Sequence, residues 1–274
     1  MSKIFERAIA ASAAPSRGER ISGHVSHAAL SRVLLRSFFI QAAWNPRGMQ
    51  NLGFAHAIAP ALAELYPDPQ ARARATLRHL EFFNCHPYLA AAILGASIRL
   101  EEQAARGETS PEAVSALKRA LAPPFAALGD GFFWLALRPA AALVAAFTVP
   151  TLGLGSVIVF LGLYNAAHLS ARVWLFAQGY RRGEGIVEVV ARVQVPAGTG
   201  LIKIASAVIA GALAARALLL ALVPHALDVH SRFWHAGLLF ATAVAMTALL
   251  PRLRFGTALY LTLALGFAAG SGFF

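Results

Sequence analysis

The polar residues best placed to do chemistry in this chain stand at the start of an uncharged segment. Residues 79–88 read HLEFFNCHPY and are followed at once by LAAAILGASI, which carries no charge. The stretch supplies a carboxylate at Glu81, a primary amide at Asn84 and an imidazole at His86. These groups donate and accept hydrogen bonds. We expect them to hold a ligand or a partner at the mouth of the apolar segment.

Two acidic residues lie outside the evident loops, Glu81 and Asp130, and each has two readings. Carboxylates at a membrane mouth are functional candidates, and the three-residue spacing from Glu81 places Asn84 on the same helix face. Alternatively, Glu81 forms an ion pair with Arg78 or Arg74 on its own helix. Asp130, in LGDGFFWLALRP, is either functional or the N-cap of a helix that starts at residue 131.

A second polar cluster, residues 38–53, reads FFIQAAWNPRGMQNLG. The spacing places Gln41, Trp44 and Asn45 on one face of a helix that ends at the following proline, and Gln50 begins the next element. Amides pair with adjacent hydroxyls, and an indole covers an apolar ring face, so the set fits a neutral sugar. The alternative is an interfacial Trp at a helix–turn–helix corner.

The sequence contains no signal for a metal, a cofactor or a catalytic centre. Its single cysteine, Cys85, excludes an intrachain disulfide. His24 and His27 are three residues apart, but no third ligand lies near them in sequence. Dinucleotide, P-loop, HExxH and nucleophile-elbow motifs are missing from the sequence. We therefore expect a non-catalytic subunit that binds neither metal nor cofactor.

The composition is that of a membrane protein. Hydrophobic residues make up 58% and charged residues 14% of the 274 residues, and the mean hydropathy is +0.60; soluble domains carry roughly 25% charged residues. The net charge is +11, but the basic residues lie between apolar runs, as in cytoplasmic loops under the positive-inside rule. Nucleic-acid binding is not expected.

The elements that position these residues are all helical. We predict an N-terminal arm over 1–30 and a membrane domain over 31–274. In that domain, residues 31–130 are amphipathic or re-entrant helices, with a surface helix pair joined by a turn at GETSP. Residues 131–274 form about five membrane spans, each near the roughly 20 residues that cross a bilayer. The fold class is therefore a polytopic all-α membrane protein, with spans at 132–149, 152–169, 201–223, 234–250 and 255–274.

The charge pattern also predicts the orientation. Placing the basic cluster 181–192 in the cytoplasm puts 224–233 outside and the N-terminus inside. We expect a multi-pass protein of the inner (plasma) membrane.

Two long segments resemble a known family. LRSFFIQAAWNPRGMQNLGFAHAIAPALAELYPD and RHLEFFNCHPYLAAAILGASIRLEEQAARG, followed by LGDGFFWLALRP and YNAAHLSARVWLFAQGYRRG, are similar to the IID component of the mannose/fructose/sorbose sugar phosphotransferase system. The resemblance covers roughly residues 32–185. It implies a membrane subunit that pairs with a IIC subunit in a hetero-oligomer within the lipid bilayer and moves a hexose-type sugar. Phosphate transfer is left to the partner IIA and IIB domains.

The resemblance extends to individual residues of both polar clusters, and two rival functions remain beside it. One rival is a non-transporting IID-like scaffold, and the other is an ion-coupled transporter that uses Glu81 or Asp130 as a proton relay. A basic inner face, formed by Arg72, Arg74, Arg78, Arg181 and Arg182, would dock an acidic or phosphorylated IIB surface. The family pattern implies substrate-binding positions at Gln41, Trp44, Asn45, Gln50, Glu81, Asn84 and His86, with Arg47 adjoining them.

Overall fold

The computed structural model describes residues 24–192 and 195–222. Within these ranges the chain is helical, and the only strand-like pairings are two isolated bridges. The all-α prediction is confirmed for this part of the chain. The helices are α1 (His27–Arg36), α2 (Asn51–Leu65), α3 (Pro69–His79), α4 (Ala90–Ala105), α5 (Pro111–Gly129), α6 (Arg138–Leu152), α7 (Gly155–Arg182), α8 (Ile186–Arg192) and α9 (Val195–Leu222).

The described residues fall into two compact units. The first contains residues 24–127 and 171–190, and the second contains 128–170 with the described residues from 191 onward. The chain therefore leaves the first unit and returns to it through the second half of α7. Both polar clusters lie in the first unit.

Helices α2 and α4 form the centre of the first unit. Phe54, Ile58 and Leu62 of α2 are almost fully buried, and so is every residue of α4 from position 90 to 98. Burial of each large apolar side chain contributes about 1.5–3 kcal/mol. The uncharged run that follows the 79–88 cluster is therefore the core helix of this unit, which explains its lack of charge.

Helix starts follow from local capping. The Ser26 hydroxyl accepts a 3.1 Å hydrogen bond from the Ala29 N–H at the start of α1. Asp68 accepts a 2.8 Å bond from the Ala71 N–H, and Pro69 occupies the first turn of α3, a position where a missing N–H costs nothing. The sequence expectation of a helix from Pro69 and of a turn at GETSP agrees with these boundaries.

Two glycines allow α4 and α7 to approach closely within the first unit. A Cβ atom at Gly95 would collide with the Phe176 carbonyl oxygen of α7, and a Cβ at Gly179 would collide with the Ala92 carbonyl oxygen of α4. Glycine is needed at both positions because backbone, and not side chain, faces backbone.

Two helical runs are long and apolar enough to cross a membrane, Pro111–Leu152 and Gly155–Arg192. Only 22% and 17% of their most apolar windows are buried within the protein. The predicted spans 132–149 and 152–169 fall largely on these runs. The predicted span 201–223 begins on α9, which includes a shorter apolar stretch, Gly198–Gly211. The spans 234–250 and 255–274, the loop 224–233 and most of the 1–30 arm lie outside the described residues.

The proposed N-cap role of Asp130 is wrong. The helical path continues from α5 through the wider turns of a π-helical segment, Asp130–Leu137, and into α6. Gly129 has helical backbone angles, with φ −67° and ψ −45°. Since no helix begins at residue 131, there is no free first turn for the carboxylate to cap.

Candidate functional site

The two polar clusters meet through the backbone. The Gln50 N–H donates to the Phe83 carbonyl at 2.9 Å, and the Phe83 N–H donates to the Gly48 carbonyl at 3.3 Å. Between them Met49 adopts a positive φ of 57°, an uncommon conformation for a residue other than glycine. We call this contact between residues 48–51 and 80–85 the junction.

Amide side chains fasten the junction on both sides. Gln50 donates from Nε2 to the Cys85 carbonyl at 2.8 Å and accepts from the Cys85 N–H at 3.1 Å. Asn51 donates from Nδ2 to the Leu80 carbonyl at 2.7 Å. Gln50 is 2% exposed, so both ends of its amide are committed to the fold of the 79–88 cluster.

Asn45 shapes the loop that leads into the junction. Its Oδ1 accepts a 2.8 Å bond from the Gly48 N–H, and its Nδ2 donates to Asn51 Oδ1 at 3.0 Å. The predicted helix through Gln41, Trp44 and Asn45 is wrong, because α1 ends at Arg36 and only a 3₁₀ turn, Ser37–Phe39, follows. An Asn side chain that bonds a nearby N–H offers the backbone an alternative to helix.

The loop places its aromatic and one amide in the open. Trp44 is 55% exposed, and Gln41 is also exposed. Trp44 directly precedes Asn45, whose backbone pairs with Met49, and Met49 in turn pairs with Phe83. Because Asn84 follows Phe83 and is exposed, exposed polar groups flank the junction on both chain segments.

His86 is buried within the 79–88 cluster. It is 1% exposed, and its ring meets Tyr88 edge-on at 4.8 Å between centroids. Its Nδ1 accepts a 3.3 Å hydrogen bond from the Tyr88 N–H. This bond places the ring proton of neutral His86 on Nε2.

The two expectations for Glu81 at the helix level are wrong. Helix α3 ends at His79, so Glu81 and Asn84 do not share a helix face. Glu81 pairs with neither Arg78 nor Arg74. It accepts instead from the Ser115 hydroxyl at 3.1 Å and from Arg119 at 3.2 Å, which ties the cluster to α5.

Arg78 is engaged by a carboxylate that the sequence analysis assigned to the surface. It donates from Nε and Nη2 to the two oxygens of Glu101 at 2.6 and 2.8 Å. His79 Nε2 lies 2.8 Å from Glu101 Oε1, and the Tyr66 hydroxyl donates to Oε2 at 2.7 Å. Glu101 is fully buried. Charge-assisted, bidentate bonds of this kind are the strong ones, and they fix the end of α3 against α4.

The pKa values in this group follow from burial and pairing. Burial by itself raises the pKa of Glu101, but hydrogen bonds from Arg78 and His79 outweigh it and lower the pKa to about 2. Burial lowers the pKa of His79, so the imidazole is neutral and donates its Nε2 proton to Glu101. Burial and the adjacent Glu101 carboxylate raise the pKa of Tyr66. The group therefore holds one carboxylate against one guanidinium at neutral pH.

Glu102 forms a second buried anchor next to the first. Its Oε1 accepts from the Val25 N–H at 2.8 Å and from the Tyr180 hydroxyl at 2.6 Å, and Oε2 accepts from Arg99 at 3.0 Å. The residue thereby joins the start of α1, α4 and the end of α7 inside the first unit.

The expectation of a charge-mixed surface helix pair from residue 100 is wrong for the first of the two helices. Glu101 and Glu102 are both fully buried. The sequence did carry a signal, because residues 101 and 102 continue the helix that begins in the uncharged run. Glu101 lies three and seven positions after Ile98 and Leu94, on the same face. A lysine on α5 is also buried: Lys118 donates to the Arg78 carbonyl at 2.9 Å and lies over the Phe54 ring.

The structure thus separates the predicted site residues by exposure. Gln50 and His86 are buried and Asn45 is half-buried, and all three make bonds within the chain. Their assignment to substrate stays a prediction, as does that of the exposed residues. Within residues 24–192 and 195–222, no three His, Cys, Asp or Glu side chains are grouped so that they could hold a metal ion. The exposed residues of the set are Gln41, Trp44, Glu81 and Asn84.

Fold and composition define a helical membrane protein, and comparison with known proteins gives its family. A family model described as the PTS system mannose/fructose/sorbose family IID component matches residues 24–253. The chain belongs to this IID family, which confirms the resemblance found in the sequence.

The relatives agree with this assignment. The chain is 43% identical over 159 residues to the mannose-specific EIID component of Escherichia coli (strain K12), covering 57% of this chain and 56% of that protein. It is 32% identical over 157 residues to the fructose permease IID component of Bacillus subtilis (strain 168), covering 57% of each. The matched region thus spans a little over half the length of these curated relatives.

Solved structures show a similar fold over more of the chain. One is a chain of the complex between the mannose transporter ManYZ and microcin E492, at 28% identity with a TM-score of 0.57, covering 91% of this chain and 97% of that chain. Another, titled only as a membrane protein, is also 28% identical, with a TM-score of 0.66, and covers 90% of this chain and 97% of its own.

Proposed function

We propose that the chain is the IID membrane subunit of a mannose-family permease. With a IIC subunit it forms the unit that moves a hexose-type sugar across the inner membrane and delivers it to IIB for phosphorylation. The junction is the observation that supports a role in sugar binding. It holds two polar segments together through buried amides and leaves Trp44 and Asn84 exposed beside it.

The chemistry of the exposed groups fits a neutral sugar. An indole face covers the C–H face of a pyranose ring, and a primary amide can donate to one hydroxyl while it accepts from another. Gln50, Asn45 and His86 then act mainly as residues that position the exposed groups, because the structure commits their polar atoms to internal bonds.

Sugar binding to the chain purified with its IIC partner tests this proposal. We expect Trp44→Ala and Asn84→Ala each to weaken mannose-class binding by about tenfold, the effect of about 1.4 kcal/mol. Trp174→Ala removes another exposed Trp, from α7, and Gln70→Ala removes an exposed amide from α3; both should bind like wild type. Unchanged binding in the Trp44 and Asn84 variants, with the complex assembled, would refute the proposed site.

The basic face proposed for IIB contains four arginines of the original five. Arg78 is excluded because it is paired with the buried Glu101. Arg72, Arg74, Arg181 and Arg182 belong to the first unit and remain candidates to attract an acidic surface.

Charge reversal tests the docking of IIB. We expect Arg74→Glu with Arg181→Glu to weaken IIB recruitment most at low salt, because exposed charges are screened as ionic strength rises. Arg32→Glu, an exposed reversal on α1, is the matched control. Equal recruitment by all three proteins at low salt would refute the docking surface.

The proton-relay alternative gains no support at Glu81. Its carboxylate is 41% exposed and is paired with Arg119, an arrangement typical of a surface ion pair. The scaffold alternative is tested by the same sugar-binding experiment, since a scaffold would assemble with IIC and bind no sugar.

A further inference from the structure

An arginine in the apolar helix α7 is buried without a counter-charge in the described part of the chain. Arg172 is 3% exposed. Its Nε and Nη1 atoms are buried, and neither has a hydrogen-bond partner among the described residues. An unpaired guanidinium in an apolar setting is costly, so this residue calls for a partner that the described residues do not supply.

Aromatic rings hold the guanidinium next to both polar clusters. Its central carbon lies 4.2 Å from the centroid of the Phe38 ring and 5.2 Å from that of Tyr88. Phe38 lies in the 38–53 cluster, and Tyr88 ends the 79–88 cluster. Such contacts contribute about 0.5–2 kcal/mol, but they leave the N–H donors unsatisfied. They fix the group in place and do not neutralise it.

The chain has few carboxylates left that could serve. Ten of its 13 acidic residues lie in the described ranges, and none of these ten forms an ion pair with Arg172. The other three are Glu6, Glu19 and Asp228. Of these, only Asp228 borders predicted membrane spans, and its segment is expected outside the membrane.

The depth of Arg172 in α7 argues against a lipid phosphate. The helix runs from Gly155 to Arg182, so with a rise of 1.5 Å per residue Arg172 lies about 26 Å from one end and about 15 Å from the other. Arginine reaches headgroups by extending its side chain toward the nearer interface, but the Phe38 and Tyr88 rings hold this side chain. The counter-charge must therefore come from within the membrane.

A sugar hydroxyl also fits poorly, because it carries no charge to balance the guanidinium. A carboxylate presents two oxygens to two N–H groups in the fork geometry that arginine favours. Phe38, one of the two covering rings, is 43% exposed, so its side of the guanidinium faces outward from the first unit. A neighbouring protein can reach Arg172 along that side.

We infer that Arg172 is an assembly site that binds a membrane-embedded carboxylate of the partner membrane subunit. The inference rests on the proposed function, which supplies a IIC subunit as the partner. It adds a charged contact between subunits, placed between the two polar clusters. Loss of this contact separates the subunits and leaves sugar chemistry at Trp44 and Asn84 as a distinct matter.

The first test measures recovery of the complex after co-expression with IIC. We expect Arg172→Met to lower the yield of co-purified IIC at least tenfold. Arg138→Met, which removes an exposed arginine from α6, should leave the yield within twofold of wild type. Wild-type recovery of IIC with Arg172→Met would overturn the inference. Failure of the wild-type chain itself to bind IIC would instead refute the proposed function.

A second test separates lost assembly from misfolding. Each membrane-segment Asp or Glu of IIC is replaced by Asn or Gln and combined with Arg172→Met. One combination should restore at least half of the wild-type yield, because the paired loss leaves no buried charge unmatched. If no partner substitution restores assembly, or if only Asp228→Asn in this chain does, the carboxylate does not belong to IIC and the inference fails.

Discussion

At the scale of single residues, the buried carboxylate of Glu101 gives the sharpest prediction of stability. Its charge is balanced by Arg78, with His79 and Tyr66 bonded to the same two oxygens. We expect Glu101→Gln to lower the free energy of unfolding by about 3–5 kcal/mol, because it leaves the Arg78 guanidinium buried and unpaired. Thermal unfolding of the detergent-solubilised protein measures this change.

Glu108 provides the matched control for that substitution. It forms a bidentate pair with Arg106 at 2.6 and 2.9 Å, but its side chain is 52% exposed. Exposed pairs contribute little, so Glu108→Gln should unfold at nearly the wild-type temperature. Equal loss of stability in both variants would show that burial of Glu101 has no special energetic role.

The pKa of Glu101 also predicts a pH dependence. The folded-state pKa is about 2 against an ordinary value of 4.5, so folding favours the ionised form. The resulting stability is fully present above pH 4.5 and is lost as the pH falls from there toward about 2. The difference in unfolding temperature between wild type and Glu101→Gln should therefore narrow across this range. A constant difference from pH 7 to pH 3 would contradict the assigned pKa.

Single residues also show where sequence reasoning reached the site and where it stopped. Trp44 and Asn84 were selected as polar groups beside apolar runs, and both prove to be exposed beside the junction. The buried pair Glu101 and Glu102 was missed, because local composition made their segment resemble a surface helix. Burial of a charge depends on partners far away in sequence, such as Arg78 and Tyr180, and no local pattern contains them.

At the scale of elements, the crossing of α4 and α7 depends on small residues. We expect Gly95→Ala and Gly179→Ala each to destabilise the protein by about 1–3 kcal/mol, the usual cost of overpacking. In both cases the added methyl would meet a carbonyl oxygen of the facing helix, and backbone cannot rotate away as a side chain can. Unfolding temperatures of the purified variants measure the effect.

The same helix contains a control for that prediction. A Cβ at Gly162 of α7 would meet nothing within 4 Å, and alanine has the higher helix propensity. Gly162→Ala should therefore be neutral or slightly stabilising. If all three substitutions have the same effect, helix propensity and not the close approach of α4 and α7 decides the outcome.

Element boundaries were predictable where one residue dictates the backbone. Asp68 followed by Pro69 sets the start of α3, and the GETSP turn precedes α5 at Pro111. The helix expected through Trp44 failed because Asn45 bonds the Gly48 N–H. The cap expected at Asp130 failed because the helical path continues through it. In these two cases a correct local preference was overridden, once by a loop hydrogen bond and once by helix continuity.

At the scale of the whole molecule, the apolar surface of the long helices is explained by lipid or a partner subunit. Leu154 is 91% exposed, and Ile158 and Leu201 are 74% and 71% exposed. Soluble monomers rarely expose large contiguous apolar areas. The number of charges and the apolar runs predicted this character from the sequence. The span count could not be tested beyond residue 222, where the described part of the chain ends.

Accessibility of single cysteines tests the predicted orientation of the molecule. The basic cluster 181–192 is expected in the cytoplasm, and the turn between α6 and α7, which contains Leu154, is then expected outside. The only native thiol, Cys85, is buried and is replaced by Ala in the background. In intact cells a membrane-impermeant maleimide should label Leu154→Cys. It should label Arg181→Cys only after the membrane is permeabilised. Labelling of Arg181→Cys in intact cells, with Leu154→Cys protected, would invert the proposed orientation. The IIB-facing arginines would then lie on the wrong side of the membrane for the proposed docking.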